Sequence, residues 1–94
     1  MNERPIYVCA MTKLIAENFV VIDLRENPRR LRFIDCGDKL RGLSHVLLYM
    51  HPSADRMYEY EGVLRVARER GCIFANVDDH FARQLHNKPT EPIS

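Results

Sequence analysis

The chain has no tryptophan, only four glycines, and three cysteines, an odd number. Cys9, Cys36 and Cys72 lie far apart, so neither a disulfide framework nor a zinc knuckle is expected. They read as small buried hydrophobes in a reducing compartment. No glycine-rich loop follows Ile6–Met11, and Ala10-Met11-Thr12-Lys13 would keep a pyrophosphate from approaching the backbone closely. A dinucleotide or P-loop site is therefore not expected, and no cofactor is assigned. Gly-x-Ser-x-Gly is absent, as are His-x-x-x-His, paired cysteines and Asp-x-Asp, so no metal site is expected. His45 and His51, read as one strand, would stand roughly 20 Å apart at ~3.3 Å per residue. His80 and His86 would occupy different faces of one helix.

The formal net charge is +1, which leaves no global field to draw the chain onto nucleic acid or anionic lipid. Apolar runs such as Phe19–Ile22 and Val46–Leu48 are far too short to span a bilayer. Met1-Asn2-Glu3-Arg4-Pro5 lacks the charged-then-apolar pattern of a leader. The expectation is a cytoplasmic protein with no membrane partner. At 94 residues it fits one domain, read as 1–86 with a flexible C-terminal tail over 87–94.

What is present is an alternation of apolar runs and helical periodicity. Ile6–Met11 suits a strand buried on both faces. Thr12 caps a short helix to Asn18, with Leu14 and Ile15 inward and Lys13 and Glu17 outward. Phe19–Arg25 and Leu31–Cys36 read as strands, and the Asn27-Pro28 turn between them makes an antiparallel hairpin. Ser44–Met50 is a strand, Ser53 caps a long helix with a stripe of Met57, Tyr60, Val63, Leu64 and Ala67, and Gly71 ends it. Cys72–Val77 is the next strand, which makes a right-handed βαβ unit with two parallel strands. Asp78 or Asp79 then caps a last helix to His86. The fold class is α/β: a small mixed sheet of about five strands with that βαβ unit and the hairpin.

Ligands in such sheets gather beyond the carboxyl ends of parallel strands. Those ends carry Thr12, then His51 and Ser53, then Asp78, Asp79 and His80. An acid–base pair of His51 with Asp78 is a catalytic candidate, and Thr12, Ser53, Asp79 and His80 are ligand-binding candidates. Asp and Ser are equally what helix N-termini need. Arg25, Arg29, Arg30, Arg32, Lys39 and Arg41 gather around the expected hairpin, where they could grip a nucleic-acid backbone or a protein partner. Acidic neighbours Glu26, Asp35 and Asp38 make a solvated tip the competing reading.

Ile6-Tyr7-Val8-Cys9-Ala10, His45–His51, Tyr60-Glu61-Gly62 and Ala67–Phe74 are laid out in a way that loosely resembles nucleoside deoxyribosyltransferase-like domains. The resemblance implies that Glu61, on the helix after a late strand, stands where that family places its nucleophile. The aspartate-glycine-threonine stretch the family carries before that helix is absent here. Glu61 also reads as the surface partner of Arg65, four residues on.

The function expected first is a small binding or regulatory module acting through a protein partner or self-association, of the size of phage or mobile-element accessory and inhibitor proteins. Strand addition at the hairpin edge would be its mode. The alternatives are a small-ligand protein or enzyme of nucleotide or nucleoside type at the strand ends, and nucleic-acid binding through the hairpin.

Overall fold

The run opened by Pro5 becomes strand β1 (Ile6–Cys9), with Ile6 and Val8 buried on one face and Cys9 on the other. The structure, a computed structural model, describes residues 4–87. Three further strands, β2 (Leu31–Ile34), β3 (Leu47–Met50) and β4 (Ile73–Ala75), complete one sheet of order β2-β1-β3-β4. Every pairing in it is parallel. The α/β class stands, but among the described residues the sheet has four strands rather than about five and contains no antiparallel pair.

The expected hairpin fails at Phe19–Arg25. After helix α1 (Lys13–Asn18), Phe19–Asp23 continues as a π-helical turn, in which Leu24 N–H donates to the Phe19 carbonyl at 3.0 Å. The contiguous β-branched residues suggested a strand, yet Ala16, Phe19, Val20 and Leu24 also fall at i, i+3, i+4 and i+8. That stripe is the one buried, Val20 and Leu24 completely. Val21 and Ile22 consequently face outward, and so does Leu14, which was expected inside. A 3-10 turn at Pro28–Arg30, capped by the Asn27 side chain on Arg29 N–H, then leads into β2 beside β1.

Both faces of the sheet are covered, as parallel pairing requires. One face packs Ile6, Val8 and Tyr49 against α1, the π turn and Val77 of helix α3 (Val77–Asn87). The other packs Cys9, Ile34 and Leu48 against Leu40, Ala54 and helix α2 (Tyr60–Glu69) through Val63 and Ala67. Each fully buried Val or Leu contributes about 1.5–3 kcal/mol.

The βαβ unit is present as β3-α2-β4 with adjacent parallel strands. Its helix is shorter than expected, because Pro52–Arg56 forms a separate 3-10 turn capped by His51, and α2 begins only at Tyr60. Gly71 does end α2, with φ +71: its N–H bonds Arg68 O and Cys72 N–H bonds Ala67 O, the reciprocal pair of a Schellman motif. His45 takes the left-handed φ of 59 rather than a strand conformation, and its ring lies over Gly71. Asn87 is the last residue of α3, and residues 88–94 of the expected tail lie outside the described residues.

Gly37 opens a 3-10 turn (Gly37–Leu40) pressed against α2, where an added Cβ would stand 2.7 Å from Val66 Cγ2 and 3.2 Å from Gly62 O. Gly37→Ala should cost about 1–3 kcal/mol by forcing the turn off α2. Urea denaturation checks this, with a lowered midpoint and an unchanged slope as the expected result.

Candidate functional site

The strand order reverses direction between β1 and β3, the place where a doubly wound sheet leaves a crevice. Here the chain closes that seam with its own groups. His51 N–H donates to Cys9 O at 2.9 Å, and Met11 N–H donates to Ser53 Oγ at 3.0 Å. Ser53 is buried, and its Oγ lies 2.8 Å from His51 Nδ1, which also receives the Ser53 N–H at 3.0 Å. Ser53 is thus a clip between strand ends rather than a helix N-cap or a ligand group. Nδ1 acts as acceptor, so the neutral ring carries its proton on Nε2.

Beside the seam lies an open cleft of about 440 Å³, between the π turn and the start of α3. Phe19 and Met50 give it apolar wall. His51, Asn76, Asp78 and Asp23 give it polar groups. Both members of the expected His51/Asp78 pair therefore line one cleft. Asp23 and Asn76 were not anticipated, because Asp23 had been placed in a strand and Asn76 at the end of one.

The remaining strand-end candidates have structural work. Thr12 Oγ1 accepts from Ile15 N–H at 3.1 Å and caps α1 as expected. Asp79 does not face a ligand: its carboxylate accepts from Asn76 N–H at 3.2 Å, while Asn76 Oδ1 accepts from Asp79 N–H at 2.8 Å. Asn76 is the N-cap and Asp79 its reciprocal partner. Glu61 is exposed on α2, over the opposite sheet face, and makes no ion pair with Arg65 among the described residues.

His80 is buried at 8% exposure rather than open to a ligand. Its Nδ1 lies 3.0 Å from Tyr49 Oη and its Nε2 2.9 Å from Glu26 Oε2. Glu26 Oε1 in turn takes Arg30 Nη1 at 2.6 Å, and Arg30 Nε donates to Arg4 O at 2.8 Å. With the carboxylate accepting from Nε2–H, Nδ1 is left to accept from the tyrosine hydroxyl. This chain fastens α3, β3, the segment after the π turn and the turn before β2 to one another. Tyr49, only 4% exposed, lies too deep for a substrate to reach.

The basic cluster is not a ribbon tip. Arg30 is half-buried in the chain just described, Lys39 pairs with Asp35 at 3.1 Å, and Arg41 pairs with Asp38 at 3.2 Å. Arg32 bonds the carbonyls of Arg29 and Leu31. Arg25 (φ 56) and Arg29 are exposed. The nucleic-acid reading loses the hairpin on which it rested. Among the described residues there is no cluster of three or more His, Cys, Asp or Glu able to hold a metal ion. No helix among them is long and apolar enough to cross a membrane.

Burial pushes the Cys9 thiol up to about 12, with the Asp35 charge adding to the shift, and burial also raises that of Cys72. Comparison with protein families, with curated proteins and with solved structures finds no significant match to this chain.

Removing Tyr49 Oη or the His80 ring leaves the other polar group buried without that partner. Tyr49→Phe and His80→Phe should each cost about 1–3 kcal/mol. The double variant should fall short of their sum by about 0.5–3 kcal/mol, a coupling that chemical denaturation of all four proteins reads directly. Raised thiol pKa values suppress thiolate at neutral pH. Half-buried Cys36 should therefore react first with a disulfide reagent, and Cys9 only as the protein unfolds, as mass mapping of the labelled sites would reveal.

Proposed function

We propose that this chain is a small protein-contact module that docks through the outward apolar side chains of its first crossover, α1 and the π turn. The observation that carries this reading is apolar exposure along the first crossover: Leu14 in α1 and Ile22 in the π turn are each 65% exposed, Val21 in the π turn 45%, and Met11, just before α1, 46%. The same segment buries Ala16, Phe19, Val20 and Leu24 on its inner side. Scattered apolar side chains are ordinary on a surface, whereas several gathered on one short segment suit a contact site. A partner helix or loop lying along it would remove that surface from water at roughly 25 cal/mol per Å².

Strand addition is a weaker mode here than the hairpin promised. In β4, Ile73 and Ala75 turn their backbone groups toward β3, which leaves Phe74 facing the free edge. On either side the edge N–H groups are already taken, Cys72 by Ala67 O and Asn76 by Asp79 Oδ2. An edge so shortened offers a visiting strand little to bond.

The test replaces Leu14 by the photo-crosslinker p-benzoylphenylalanine in the cell that makes the protein, with Tyr58, 99% exposed and just before α2, as the control position. One adduct of defined mass is expected from position 14 and not from position 58. Ile22→Lys should remove it without lowering thermal stability. Adducts of equal yield from both positions, or none at position 14, would overturn the proposal. An adduct of twice the chain's mass would identify a second copy as the partner.

A further inference from the structure

We infer that the chain seals the outer edge of β2 against strand addition, with Arg32 and Lys39 as the guards. This edge closure is independent of the contact surface on α1 and the π turn. The alternation of backbone hydrogen bonds fixes which groups face outward. His51 N–H donates to Cys9 O, so Cys9 and Tyr7 turn their backbone groups toward β3. Ile6 and Val8 are left for β2, where Val8, in register with Phe33, meets Arg32 O and Ile34 N–H. Leu31 and Phe33 therefore point away from the sheet, at an edge that no other described strand covers.

The chain takes up both edge groups of Leu31 itself. Its N–H bonds Pro28 O in the turn before the strand. Arg32 folds back so that Nη1 lies 3.0 Å from Leu31 O and 3.2 Å from Arg29 O. Along this edge only the N–H and C=O of Phe33 have no partner among the described residues. Lys39 stands over that same residue. Its 3-10 turn packs on the α2 face through Leu40, whereas the Phe33 ring packs on the α1 face. The lysine side chain thus wraps round β2 to set its ammonium 5.3 Å from the ring centroid, with Asp35 at 3.1 Å.

Cationic side chains on an edge strand oppose pairing, because a visiting strand would have to strip water from them. The opposition is greatest for a second copy. Two copies joined edge to edge about Phe33 would bring both Arg32 side chains to the same face of one seam, like charge against like. The charge of these residues serves here to exclude a strand rather than to attract a phosphate.

The experiment measures amide hydrogen exchange and light scattering of the full chain, from dilute to millimolar protein. In the wild type Phe33 should exchange at one rate throughout, even if a dimer forms through α1. Arg32→Thr with Lys39→Thr removes both guards and frees Leu31 O. It should slow Phe33 exchange about tenfold at high concentration as larger particles appear. Arg32→Thr alone should give the same change more weakly, and it carries the test if the double variant does not fold, which exchange in β1 and β3 reports. Arg65→Thr with Arg68→Thr, which removes the same charge from the exposed face of α2, should change nothing. Slowed Phe33 exchange in concentrated wild type, or unchanged exchange in both Arg32 variants, would overturn the inference. So would an equal response of the α2 variant, since loss of charge alone would then explain it.

Discussion

Parallel pairing throughout the sheet is the constraint from which the rest follows. Each strand must return to the same end before the next begins, so every connection crosses a face, and both faces become covered. A chain with only three or four residues per strand has little area to cover, and short helices suffice. The first crossover has to bring the chain from Cys9 back to Leu31 while shielding Ile6, Val8 and Tyr49. It does so with one helix and a widened turn. Phe19 and Val20 reach inward from within the π turn, and Leu24 from the residue that closes it.

On that same face the second covering element, α3, brings in a buried histidine. The crossovers are held by apolar contact, by the Ser53 clip and by the Arg70 Nε bond to Leu43 O, and α3 adds His80 set against Tyr49 and Glu26. A half-satisfied imidazole at that depth would be costly, so its two nitrogens restrict where α3, the Glu26 segment and β3 can sit relative to one another. Arg30 extends the restriction to the entrance of β2. Registry of separate elements is the role buried polar groups fill best, and here each link joins a different element.

How far the sequence disclosed this depends on the range of each signal. Local signals were legible: Thr12 as a cap, Gly71 as a helix stop, the alternation that makes β3-α2-β4 parallel. The first two need only neighbours within a turn, and the third only the order of consecutive elements. Phe19–Arg25 was not, because a β-branched run and an i, i+3, i+4, i+8 stripe coexist in it, and only the sheet it packs on chooses between them. The His51/Asp78 cleft was legible because it follows from two adjacent parallel strands. Its other carboxylate was hidden by the same strand assignment that produced the hairpin. His80 and Glu26 are 54 residues apart, and nothing local announces that such a pair will meet.

The misread segment is also the one that carries the functional argument, and the two facts have one cause. In a strand, alternate residues of Phe19–Ile22 would be buried on the two faces of a sheet, and none of the apolar run need be visible. In a helix, a continuous apolar run must wrap the whole circumference, so part of it has to point at solvent. Phe19 and Val20 satisfy the core; Val21 and Ile22 cannot. A lysine or glutamate at either position would leave the packing of the inner stripe untouched and make the surface more soluble. The core therefore does not account for their apolar character, and it is on this exposed character that the proposed contact surface rests.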